Sequence, residues 1–277
     1  MWVKELNKRN LMLILCALFL TNCVPNKYAQ TNKVYKNLAK GFAETIKSFP
    51  PAAQTIDSLD KEQYFVGTVN MGMRKPNYVI IHHTAQDSTE QTLRTFTLTR
   101  TATSAHYVIG RDGKVVQMVN DYLRAQHAGA GRWGTVTDMN SCSIGIEMDN
   151  NGTTDLWTDA QINSLCAVLA TLKKKYAIPT ANFIGHADYA PTRKPDPNNF
   201  PWKTLAKKGF GLWYDEVLQM PPSNFDTTLA LRIIGYDVKN LGAAITAFKR
   251  HFVGTDLTPT LTGPDQLILF NLYKKYM

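Results

Sequence analysis

The sequence predicts an α/β protein: a mixed β-sheet flanked by helices, followed by a small three-helix region. Three observations carry this. β-rich runs alternate with helical periodicity between residues 61 and 220, Pro221-Pro222 interrupts the chain, and three capped helical patterns fill the rest. At 277 residues the chain has room for one large domain or for one medium and one small. Within 61–220, Tyr78 to His83 is a continuous β-rich run. Ala105 to Gly110 and Val115 to Val119 flank Arg111-Asp112-Gly113, a hairpin signal. Ser143 to Met148 and Phe183 to His186 are further strands. Thr158 with Gln161 three residues on forms a capping box. Ile162, Leu165, Cys166, Leu169, Leu172 and Tyr176 then recur at helical spacing. Beyond the two prolines, Asp226 to Ile234 stops at Gly235, and Asn240 to Phe252 and Pro264 to Tyr276 follow. Residues 221–277 can bury only a small core, which suits a binding region better than a catalytic one.

The N-terminus carries an address. Lys4, Lys8 and Arg9 precede an apolar run from Leu11 to Leu20, too short to span a bilayer, so residues 1–22 read as a signal peptide. The run leads into Leu20-Thr21-Asn22-Cys23, which resembles a bacterial lipobox, although Asn22 stands where a small residue is usual. Cys23 is the expected lipidation site, with ordinary cleavage or an uncleaved anchor as the alternative. Residues 23–60, polar and dotted with lysine, read as a lipoprotein tether plus a first short segment. With Cys16 and Cys23 so assigned, Cys142 and Cys166 remain, either paired or as two buried thiols.

Composition narrows the function. A 44% hydrophobic, 19% charged chain can fold around a core and is not a disordered polymer. The net charge of +9 is spread along the whole chain, which argues against nucleic acid as a partner and fits mild attraction to an acidic polymer or anionic surface. Thioredoxin, zincin, serine-hydrolase and P-loop chemistries lack their motifs.

Five of the six histidines, His82, His83, His106, His127 and His186, fall in the α/β region, mostly at strand ends. Two strand-end histidines together with Asp196, ten residues after His186, make the ligand set of an open zinc site with room for water. Pro191, Pro195 and Pro197 restrict the loop around Lys194 and Asp196, which, two apart in extended backbone, project to one side. Glu147 sits in an otherwise apolar strand and needs a partner or a role, either an ion pair with lysine or general base catalysis beside the metal.

The ordered strings YVIIHHTA, SAHYVIGRDGKV, HAGAGRWG, NSCSIGIEMDN and GHADYAPTRKPDPNNFPW resemble the zinc-dependent N-acetylmuramoyl-L-alanine amidases, the family that includes phage amidase lysozymes and peptidoglycan recognition proteins. The resemblance covers about residues 75–205. It implies a central mixed sheet with one Zn²⁺ per chain in a groove, held by His82, His186 and Asp196. Glu147 would be the catalytic base and Lys194 the catalytic cation, and His83 and Thr84 would contact substrate. His106, Tyr107, His127 and Trp133 are candidates for the groove walls or for packing. The implied reaction cuts the amide between N-acetylmuramic acid and L-alanine in peptidoglycan or muropeptides. The alternatives are a non-catalytic wall-binding protein and a zinc peptidase acting within the stem peptide. The lipobox and C-terminal helices further resemble the lipoprotein branch, held on the periplasmic side of the outer membrane and ending in a peptidoglycan-binding three-helix module over 221–277. Gln126, Tyr189 and Asn198 depart from the family pattern, the last standing where a glycine follows Asp-Pro.

Overall fold

The computed structural model describes residues 26–47, 68, 70, 71 and 73–277. The expected signal segment, Cys23 and the expected tether residues 24, 25 and 48–60 lie outside the described residues. The chain divides into two compact units, residues 1–71 and 72–277. In the first, α1 (Ala29–Lys47) is a helix without buried residues. Val34, Leu38, Phe42 and Ile46 recur every fourth position along one side and stay exposed. Lys33, Lys36, Lys40 and Lys47 follow the opposite side. A regular basic amphipathic helix thus occupies part of what the composition suggested was tether. Among the described residues no helix is long and apolar enough to cross a membrane.

The second unit is built on a five-stranded sheet of β1 (Tyr78–His83), β2 (Tyr107–Ile109), β3 (Val115–Gln117), β4 (Ser143–Met148) and β5 (Phe183–Gly185), in the order β3-β2-β4-β1-β5. β1 runs parallel to β4 and β5, β2 runs parallel to β4, and β3 closes one edge as the antiparallel arm of a hairpin with β2. The hairpin strands are shorter than the apolar runs because the amides of Met118 and Val119 both turn to the His106 carbonyl, two residues facing one.

Side-chain alternation divides the sheet into two faces. Val79, Ile81, Ile144, Ile146 and Met148 pack against α4 (Asp159–Tyr176) through Leu165, Leu169 and Leu172. The Thr158–Gln161 capping box forms at the start of α4 as the spacing predicts. Ile80 faces the other way, into a core shared with α7 (Thr227–Ile234), α8 (Leu241–Phe252) and α9 (Gly263–Tyr276) through Leu231, Phe248 and Leu269. His82 continues the Ile80 face, and Glu147 is its Cα partner on β4. Gly235, after α7, has φ +134°, and a Cβ there would stand 2.4 Å from the Trp133 ring. Glycine therefore lets the C-terminal helices seat directly on Trp133.

The shorter elements complete the frame. Ser88 caps α2 (Thr89–Thr97) by accepting from the Gln91 amide. α3 (Met139–Cys142) leads into β4, α5 (His186–Tyr189) follows β5, and α6 (Trp202–Lys207) precedes the C-terminal helices. Cys142 and Cys166 are free, half-buried thiols.

Candidate metal centre

Two parallel strands and one rigid loop bring three ligand atoms together. His82 is the penultimate residue of β1, His186 follows β5 directly, and Asp196 lies in the proline-restricted loop. His82 Nδ1 is 2.9 Å from His186 Nδ1 and 3.2 Å from Asp196 Oδ2, and His186 Nδ1 is 3.1 Å from the same oxygen. All three residues are buried. Ligands at about 2.0–2.2 Å in tetrahedral geometry stand about 3.3 Å apart, so the triangle is close to one face of such a site. It is a possible metal site of two imidazoles and one carboxylate.

The imidazole atoms turned away from the apex have built partners, as metal-ligating histidines require. With Nδ1 of His82 directed to the apex, its Nε2–H donates to His127 Nδ1 at 3.1 Å. His127 Nε2–H donates to Ser143 Oγ at 3.2 Å, and that hydroxyl donates to the Met139 carbonyl. One direction of donation is consistent along the whole chain. His186 Nε2–H donates to the Ala128 carbonyl at 2.8 Å, which also accepts from Arg193 Nη2 at 2.7 Å. Arg193 holds the Ala130 carbonyl as well, and Asn140 Oδ1 accepts from the amides of His127 and Ala128. The 127–130 loop is thereby fixed behind both ligands. Gly145 makes room for it, since a Cβ there would stand 2.3 Å from the His127 ring. Sequence reasoning missed Ser143, Asn140 and Arg193. Their signal was adjacency, since each lies within three residues of Gly145, Cys142 or Lys194 in a motif already quoted.

Glu147 stands beside His82 across the β1–β4 ladder. Its Oε2 is buried without a hydrogen-bond partner among the described residues. Burial, reinforced by the Asp196 charge and opposed by Lys194, pushes its carboxyl up to about 8. Such an orphaned carboxylate fits a centre that a metal ion and water complete. Burial and the neighbouring His186 pull His82 down to about 4, against the pull of Asp196, so the imidazole is neutral and available as a ligand. Asp196 is held far below the usual carboxylate range, its bonds to His186 and His82 outweighing its burial. Lys194 is half-buried, and its ammonium makes no hydrogen bond among the described residues.

The remaining candidates take different places. His83 and Thr84 lie at the rim where β1 ends. His83 Nδ1 accepts from the Asn198 amide at 3.2 Å, and Thr84 Oγ1 donates to the Asn150 carbonyl. His106 is fully buried, its Nδ1 accepting from Gly145 and its Nε2–H donating to the Leu123 carbonyl, so it is a support and no groove wall. His127 is likewise occupied behind His82. Tyr107, one position on from His106, turns to the opposite face and donates to Asp121 at 2.7 Å beneath α4. Trp133 is buried against Tyr236, ring centroids 4.9 Å apart. Aromatic and histidine side chains near strand ends fill cores as readily as they line grooves, and alternation decides which.

Asp188, two residues after His186, is also buried. It accepts from the Gly185 amide, from Tyr236 Oη at 2.9 Å and from His251 at 2.7 Å, tying the His186 turn to the C-terminal helices.

Comparison with known proteins agrees with this arrangement. The N-acetylmuramoyl-L-alanine amidase profile, Amidase_2, matches residues 72–199. The N-acetylmuramoyl-L-alanine amidase AmiD of Escherichia coli K12 is 32% identical over 230 residues, 72% of this chain and 82% of AmiD. The solved complex of E. coli AmiD with anhydro-N-acetylmuramic acid-L-Ala-D-gamma-Glu-L-Lys superposes with TM-score 0.66 at 29% identity, covering 79% of this chain and 95% of that one. AmpDh3 from Pseudomonas aeruginosa, in complex with anhydromuramic pentapeptide, gives TM-score 0.67 at 27% identity over 80% and 99% of the two chains. The chain belongs to the N-acetylmuramoyl-L-alanine amidase family and is a hydrolase of the amide between N-acetylmuramic acid and L-alanine.

Proposed function

We propose that the resident metal is one Zn²⁺ on His82, His186 and Asp196, that Glu147 and Lys194 carry out the chemistry, and that the substrates are muropeptides and wall peptidoglycan. The observation that carries this reading is the convergence of three ligand atoms beside Glu147, whose buried Oε2 has no hydrogen-bond partner among the described residues. Two neutral imidazoles and a carboxylate are a donor set that zinc favours, and zinc so held supplies a Lewis acid and a water acidified to a pKa of about 7.

Glu147 takes the proton of the attacking water and later delivers one to the nitrogen of L-alanine as the amide breaks. Its apolar surroundings and unbonded oxygen keep the carboxyl ready for both transfers. Lys194 places positive charge beside the carbonyl oxygen of the muramoyl lactyl group as it becomes negative. Among the described residues its ammonium makes no hydrogen bond that would have to break first. His83 and Thr84 form the rim against which the sugar and the first peptide residues rest. His127, Ser143, Ala128 and Arg193 act through the ligands by fixing ring orientation and tautomer.

The same reading places the chain on a membrane that meets the wall, the outer membrane on its periplasmic side, through lipid on Cys23. The basic amphipathic α1 follows that residue closely and suits a segment at a membrane surface. Residues 221–277 would add affinity for insoluble wall by raising local concentration. Mass spectrometry of the products from purified sacculi tests the chemistry: glycan strands whose N-acetylmuramic acid carries a free lactyl carboxylate and peptides beginning with L-alanine are expected, and a cut within the stem peptide would refute it. Changing Cys23 to Ala should release the processed chain from the membrane fraction, and continued retention would refute lipidation.

A further inference from the structure

Asn198, which stands where the family pattern has glycine, joins four other residues at the rim of the centre. Its amide donates to His83 Nδ1, its Nδ2 donates to the Gly152 carbonyl at 3.0 Å, and its carbonyl accepts from Trp157 Nε1 at 3.0 Å. Its remaining atom, Oδ1, accepts from Arg250 Nε at 3.1 Å. Glycine could make none of the side-chain bonds. Arg250 comes from the last turn of α8, so a C-terminal helix delivers a cation to the rim that His83 and Gly152 share.

The guanidinium is bound by only one of its three nitrogens. Nη1 and Nη2 make no hydrogen bond among the described residues, while the side chain is half-buried. It lies close enough to Asp196 and Asp188 to feel both charges. No bond joins it to either carboxylate among the described residues. Asp196 Oδ2 is shared by the two histidines, and Asp188 is taken by Gly185, Tyr236 and His251. A partly desolvated guanidinium with its outer fork unused and its inner nitrogen fixed is built to receive a planar anion through two parallel bonds.

We propose that Arg250, oriented by Asn198, is a specificity-determining residue that binds a carboxylate of the stem peptide. This rests on the amidase reading above. A stem in which glutamate is linked through its side chain keeps that residue's α-carboxylate free, and the stem also ends in a carboxylate. Either supplies the planar anion that the fork accepts. The C-terminal helices then contribute a side chain to the substrate groove as well as to the core.

The test uses the full, metal-loaded chain and three synthetic substrates. These are N-acetylmuramic acid-L-Ala-γ-D-Glu-L-Lys, the same compound with the glutamate α-carboxylate amidated, and the same with only the C-terminal carboxylate amidated. Wild type should cleave one amidated form more slowly than the parent, mainly through KM, which identifies the carboxylate bound. Arg250→Gln should lower kcat/KM for the parent about 10- to 100-fold, the worth of one charge-assisted pair. It should leave that amidated form nearly unaffected, so the preference disappears. Arg250→Lys should recover part of it, and Asn198→Gly should lose part of it without loss of metal. Equal cleavage of all three substrates by wild type would overturn the proposal even if no variant folded. So would equal losses by Arg250→Gln on parent and amidated substrates, which mark a structural role. Failure of wild type to cut any substrate at the muramoyl–alanine bond would instead refute the amidase reading and this proposal with it.

Discussion

His82 and His127 are joined edge to edge: Nε2 of the first lies 3.1 Å from Nδ1 of the second, with the two rings nearly perpendicular. In the proposed centre this contact would hold the proton on Nε2 of His82 and leave Nδ1 for the metal. His127→Phe keeps a ring of similar size above Gly145 and removes the acceptor. Metal affinity should fall about 10- to 100-fold, the usual cost of losing such a partner. Competition with a zinc-selective chelator, followed beside a thermal melt, reads this directly. An unchanged affinity in a folded variant would remove His127 from the account.

Lys194 is assigned to charge and not to ligation. Lys194→Met should retain full metal content and lower kcat by about 10²- to 10³-fold, the range for losing one oxyanion donor. Metal analysis beside initial rates separates this from the ligand variants. Replacing His82, His186 or Asp196 should lower metal content and rate together.

Acid should weaken the metal-free fold through His106. Burial pulls that imidazole down to about 4, with the Leu123 carbonyl acting in the other direction. An unfolded histidine titrates near 6.5. Between these values the unfolded chain binds the extra proton, so stability is complete above about pH 6.5 and is lost as pH falls toward 4. The loss is on the order of 3 kcal/mol. His106→Asn preserves an acceptor for the Gly145 amide and cannot titrate. Urea melts of the metal-free proteins from pH 4 to 7 should show a pH slope smaller by about one proton in the variant. Identical slopes would contradict this.

Removing the C-terminal helices should cost the fold. Trp133, Tyr189 and Ile80 share one core with Leu231, Phe248 and Leu269. A chain ending at Met220 should therefore lose cooperative thermal unfolding. The milder Tyr236→Phe leaves Asp188 one bond short in a buried site and should cost about 1–3 kcal/mol. A truncated chain melting like the full one would show that the shared core carries no stability.

Much of this was legible before any coordinates. The runs at Tyr78–His83 and Ser143–Met148 are apolar because both faces of those strands are covered. The His82, His186 and Asp196 set was readable because its chemistry needs those residue types at strand ends and in a stiffened loop. Residue type alone could not separate a ligand histidine from one that supports it. His106 and His127 became supports only once strand alternation and the fixed 127–130 loop placed them behind His82. The same alternation sends Tyr107 under α4, a difference of one position that composition does not register. In α1 the signal was present, since Val34, Leu38, Phe42 and Ile46 repeat every fourth residue, but the surrounding lysine and asparagine concealed it.

The central claim is that a metal on His82, His186 and Asp196 works with Glu147 on the muramoyl–alanine amide. Glu147→Gln tests it most directly, with metal content and product masses measured on one preparation and synthetic N-acetylmuramic acid-L-Ala-γ-D-Glu-L-Lys as substrate. The side chain keeps its shape and loses only its basicity. The expected result is one metal per chain, as in wild type, with N-acetylmuramic acid and L-Ala-γ-D-Glu-L-Lys still the products but formed about 10²- to 10⁴-fold more slowly. Cleavage at the wild-type rate by the metal-loaded variant would contradict the account.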